Sequence, residues 1–80
     1  MRTIRRYSNR KLYDNVDSHY VTLQQIAALI RQGEEIRVIT HDTGADITAS
    51  TMAQIIFEEE RKTPRLPVQA LREIIVSGLK

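Results

Sequence analysis

The sequence predicts a small α+β domain: a basic N-terminal β-ribbon, a helix, a β-hairpin and two C-terminal helices. Three observations predict it. Up to Thr22 the chain consists of short runs rich in β-branched and aromatic residues, broken by turn residues. An apolar set at helical spacing follows, with its own start and stop signals. Two further helical patterns, punctuated by Pro64 and Pro67, close the chain.

Residues 3–7 ("TIRRY") and 11–14 ("KLYD") read as strands joined by the turn "SNR", and "HYVT" (19–22) reads as a third after the turn-forming "NVDS". Thr22 and Gln25 have the spacing of a capping box, in which each side chain satisfies a free amide of the other's backbone. Leu23, Ile26, Ala27 and Ile30 form the helix's apolar face, widened by Leu29, and Gly33 stops it. "EIRVIT" (35–40), the turn "HDTG" and the return "ADIT" (45–48) read as a β-hairpin. A second helix is expected from Ser50 or Thr51 to about Lys62, burying Met52, Ile55 and Ile56 with Phe57 at the border. Pro64 ends it. Pro67 suits the first position of a third helix, where its missing N–H costs nothing. That helix carries an apolar stripe of Val68, Leu71, Ile75 and Leu79, with Ile74 beside it.

Eighty residues make one domain near the lower size limit for independent folding, and 41% hydrophobic content is enough for a core. With no cysteine, the chain has neither a disulfide staple nor a thiolate metal site. Small unstapled chains often complete their cores by oligomerising. The N-terminus has no apolar signal stretch and no run is long enough to span a bilayer, so the chain reads as cytoplasmic. His19 and His41 stand apart, without metal-ligand spacing, and no cofactor motif occurs. "HDTGAD" superficially resembles the Asp-Thr-Gly of aspartic proteases, but those residue types are what a tight turn uses. The sequence is not that of an enzyme.

Charge is unevenly placed. The net charge of +2 hides five cations and no acid in the first thirteen residues, against seven basic and ten acidic residues after them. The natural partner of a cationic arm is a polyanion. Arg5, Arg6, Arg10 and Lys11 are the candidate contacts to phosphates or bases, with Arg2 flanking them. Arginine offers forked donors to phosphate oxygens and guanine edges, and asparagine can pair with adenine. Tyr7, Asn9 and Tyr13 sit among the cations, where each could contact DNA, shape the turn or pack on the core. Asp14 fits an internal partner for a neighbouring arginine. The bland alternative is a solvated ribbon whose arginines merely keep the surface soluble.

"IRRYSNRKLYD", "SHYVTLQQIAALIRQGEEIRVI", "TGADIT" and "QIIFEEE" together resemble the N-terminal DNA-binding domain of the polyhydroxyalkanoate (PHA) synthesis repressors, the PHB accumulation regulators. Arg6, Tyr7, Asn9 to Asp14, Tyr20 to Ile26, Thr43 to Thr48 and Gln54 to Glu60 carry the resemblance. It implies a bacterial repressor that binds double-stranded operator DNA of granule genes, including those for phasins. It also implies release when the polymer, as effector, draws the protein from the nucleoid to the granule surface. Residues 1–62 are then the DNA-binding domain. Residues 63–80 are an amphipathic helix that either starts a longer region, as family members usually continue further, or serves oligomerisation. The expected assembly is a homodimer or higher oligomer through Val68, Leu71, Ile75 and Leu79. The rival reading is a granule-surface or protein-interaction module with no direct DNA readout.

Overall fold

The computed structural model describes residues 1–78. Seven elements follow in order: β1 (Arg2–Arg6), β2 (Leu12–Asp14), β3 (His19–Val21), α1 (Leu23–Arg31), β4 (Ile36–Thr40), α2 (Thr48–Lys62) and α3 (Val68–Gly78). The fold is α+β, as the residue pattern predicts.

The strands form one sheet in the order β3-β2-β1-β4. β1 pairs antiparallel with β2, and β2 with β3, so the N-terminal ribbon is a three-stranded meander. β4 pairs parallel with β1, from Arg2 opposite Ile36 to Arg6 opposite Thr40. Parallel neighbours need a long crossover, and the intervening α1 supplies it. The expected hairpin after β4 is reduced to a single antiparallel bridge between Ile39 and Asp46. β4 already has a full-length partner in β1. The returning chain is diverted where Asp46 Oδ1 accepts the Thr48 N–H at 2.9 Å, which starts α2 two residues or more before the expected Ser50 or Thr51.

α1 is built as its sequence predicts. Thr22 Oγ1 accepts the Gln25 N–H, and Gln25 Oε1 accepts the Thr22 N–H. Past its last turn Gly33 adopts φ +94°; its N–H reaches the Ile30 carbonyl, and the Glu34 N–H reaches that of Leu29. This is a Schellman closure, which needs a left-handed residue at that point.

One core lies between the helices and one face of the sheet. Ile4, Leu12, Val21, Ile36 and Val38 come from the strands, Ile26 and Ala27 from α1, and Ile55 from α2. α2 buries Thr51 and Ile55 and leaves Met52, Ile56 and Phe57 exposed, so its buried face is narrower than the apolar spacing suggests. Pro67 stands just before α3, where its carbonyl accepts the Ala70 and Leu71 N–H groups. α3 buries none of its residues. Leu79, expected in its apolar stripe, lies outside the described residues.

Candidate nucleic-acid interface

Side chains alternate between the faces of a strand. With Ile4, Leu12, Val21 and Val38 on the core face, register places Tyr20, Tyr13, Arg5 and Ile39 in one row across the other. Lys11, Tyr7 and His41 continue that face toward the β1–β2 turn, and Thr3 and Arg37 lie opposite each other at its far end. None of these nine residues is acidic. The core gathers on the opposite side, and no helix joins it from this one.

The rings on this face hold one another. Tyr7 stacks on His41 with centroids 4.3 Å apart and meets Tyr13 edge-on at 6.5 Å; Tyr13 meets Tyr20 edge-on at 5.3 Å. Lys11 Nζ lies 5.3 Å from the centre of the Tyr20 ring. Tyr7 and Tyr13 are half-buried against neighbouring rings on the outer face and not in the core. Tyr20, Arg37 and His41 went unnoticed in the sequence because only the register brings them to the arginines. The alternation of Arg37 with Ile36 and Val38 was the available signal.

At the end of this face the β1–β2 hairpin closes over Ser8, Asn9 and Arg10. The Tyr7 N–H donates to the Lys11 carbonyl and the Arg10 N–H to the Tyr7 carbonyl, both at 2.9 Å. Arg10 has φ +68°, a left-handed conformation that such three-residue turns usually give to glycine. Holding a side chain there costs about 1–2 kcal/mol. Asn9 Oδ1 accepts the Lys11 N–H at 3.1 Å, so Asn9 shapes the turn and only its amide NH2 is left for a ligand. The two-pronged pairing of asparagine with adenine needs both ends.

Arg2 has a different place from the one expected. At the same parity as Ile4, it points away from the outer face. Its Nη1 lies 2.6 Å from Asp14 Oδ2 and 3.1 Å from Asp17 Oδ2, and its Nη2 lies 2.9 Å from Glu34 Oε1. Three carboxylates, Glu34 and Asp14 foremost, push its pKa still further above its ordinary value. Arg2 is therefore an internal tie, not a flanking DNA contact. Asp14, 1% exposed, is the arginine partner its sequence context suggests. Burial would raise its pKa, but the Val16 N–H and the Arg2 guanidinium outweigh that and hold it below its ordinary value. Among the described residues the ion pairs engage Arg2, Arg31 and Arg61, and leave Arg5, Arg6, Arg10 and Lys11 to solvent. Arg37 faces solvent too, though Asp46 is near enough to feel its charge.

An acid-free sheet face bearing unpaired cations, with a cationic turn at one end, is shaped for a polyanion. Residues 3–63 match the family model of the PHB/PHA accumulation regulator DNA-binding domain. The chain belongs to this family. A PHB/PHA accumulation regulator domain is a DNA-binding regulatory module, and the cations described above are its exposed basic surface. Two curated relatives share 59 aligned residues, 74% of the chain. An uncharacterized protein of Allochromatium vinosum is 42% identical over 39% of its own length. An uncharacterized protein from the phbA 5′ region of Thiocystis violacea is 39% identical over 43% of its length. The regulator domain thus aligns with about two fifths of each of these relatives. No solved structure matches it significantly. No described helix is long and apolar enough to cross a membrane.

Proposed function

We propose that this regulator domain is the operator-reading part of a transcriptional repressor of PHA granule genes, phasin genes among them, and that it leaves DNA when polymer is present. It acts as a homo-oligomer on the nucleoid and, when released, at the granule surface. The observation that carries the reading is the segregation of unpaired cations onto an acid-free face ending in a cationic turn. The family match and a relative encoded beside phbA agree with it.

The β1–β2 hairpin is a two-stranded ribbon of the kind that fits the major groove. Arg10 at its tip is the base-reading residue, because its two-pronged guanidinium is free while half of Asn9 is spent on the turn. Arg5, Arg6, Lys11 and Arg37 hold phosphates, which fixes position without reading sequence. Tyr7 and Tyr13 stiffen the platform through their ring contacts.

A second reading, adsorption to polymer or protein through apolar contacts, is favoured by the exposed side chains of α3. Gel shifts on a phasin promoter fragment in a salt series separate the two. Five phosphate contacts give a log–log slope near −4.5, so affinity should fall roughly 500-fold between 50 and 200 mM salt. Binding that is absent, or that ignores both salt and DNA sequence, would sink the operator reading.

A further inference from the structure

Nine large apolar side chains are exposed in the last two helices and their linker: Met52, Ile56 and Phe57 on α2, Leu66 between them, and Val68, Leu71, Ile74, Ile75 and Val76 on α3. On α2, Met52 and Ile56 stand one turn apart with Ala49 and Ala53 alongside, which makes a stripe. Ile56 also opens onto a groove of about 490 Å³ that Leu66 lines from the other side. One chain therefore carries two unpartnered apolar helix faces of similar length.

They do not cover each other within the chain, and the linker shows why. Both oxygens of the Glu60 carboxylate accept the Arg65 and Leu66 N–H groups, at 2.9–3.3 Å. Pro64 and Pro67 fix two further backbone angles beside that clasp. The connection is thus tied to the end of α2, and α3 leaves it with no residue buried.

We infer that α3 is an exchanged arm: in a closed pair of copies, each α3 lies on the Met52–Ile56–Phe57 stripe of the other copy's α2. Area supports a second copy as the occupant. At about 150 Å² per large side chain, nine side chains between one-third and four-fifths exposed offer roughly 800 Å² per copy, the half-share of a standard stable interface. Reciprocal exchange uses both faces of both copies and leaves neither open, which gives a closed two-fold assembly. The inference deepens the homo-oligomer of the proposed function, yet its geometry is independent of DNA.

The absence of cysteine makes the test clean. A full-length Ile56→Cys, Ile75→Cys double variant is oxidised without DNA and run on a non-reducing denaturing gel. Exchange is expected to give a covalent dimer. A monomer with an internal disulfide, a ladder of larger species, or no cross-link would each overturn it. Sedimentation of cysteine-free protein is the second measurement. Wild type should be dimeric at tens of micromolar, and Ile75→Glu or Phe57→Glu should weaken the pair at least 100-fold. Both substituted side chains are exposed in the single copy, so thermal melting of the core should report folded protein. A wild type that stays monomeric overturns the arm exchange. Failure of the operator reading would appear separately, as a dimer that shifts no DNA.

Discussion

Arg2 and Arg5 stand three residues apart in the same strand and do opposite work. Arg2 sits at core parity, 12% exposed, with three carboxylates around its guanidinium. Arg5 is one step out of phase, in a row with Tyr13 and Tyr20 on a face without acids. Composition treats them alike, and strand parity separates them. A cation count therefore overstates a binding surface wherever one member of the cluster is turned inward to hold the fold.

The largest effect should come from the inner member of this pair. Asp14→Ala leaves the partly buried Arg2 without its closest partner and should cost about 3 kcal/mol in chemical denaturation. DNA affinity per folded molecule should change little. If stability is unchanged, Arg2 is no tie. The same pair has a pH signature. Asp14 titrates below its ordinary value, so its contribution is fully present above about pH 4 and is lost as pH falls through the lower, folded value. Wild type should lose stability on acidification below pH 4, and Asp14→Asn should remove part of that dependence.

The outer member should show the reverse pattern. Arg5→Glu with Lys11→Glu should abolish the gel shift, a loss of at least 100-fold, while melting stays within a few degrees of wild type. A variant that unfolds would mean these side chains hold the platform together. One that still binds at full strength would move the interface elsewhere.

Between these extremes lies Arg10, which has both a structural cost and a proposed binding role. Arg10→Gly relieves the left-handed strain and should raise stability by up to about 1 kcal/mol while weakening operator binding roughly tenfold. Opposite signs in two assays of one variant are hard to obtain by accident. A glycine variant that binds as well as wild type would remove Arg10 from base reading.

The smallest effect is expected at Asn9. Asn9→Gly loses the side-chain bond to the Lys11 N–H but keeps a residue suited to the turn, so stability should shift by no more than about 0.5 kcal/mol. Sequence discrimination in competition gel shifts should be nearly retained. A collapse of discrimination would return Asn9 to the reading surface.

Local features were legible in the sequence. The Thr22–Gln25 box, the Gly33 stop and the short N-terminal strands follow from residues a few positions apart. What escaped was non-local. Nothing near Ile36–Thr40 announces that it pairs with Arg2–Arg6, so the following return segment was expected to form its partner strand. Tyr20, Arg37 and His41 were missed for the same reason, because their place beside Arg5 and Tyr7 exists only once the strands are in register. The exposure of Met52 and Ile56 was missed for a different one: apolar spacing shows that a helix has a sticky side, not how much of it the rest of the chain can reach.

The Glu60 clasp and the bare third helix make residue 63 a seam. Because α3 buries nothing against the body, the stability of the reader does not depend on what is spliced after the clasp. The family match ends at the same residue. Lineages can therefore lengthen, shorten or replace the tail, and so change how many readers are yoked together and how far apart. The surface that meets DNA need not be re-evolved each time.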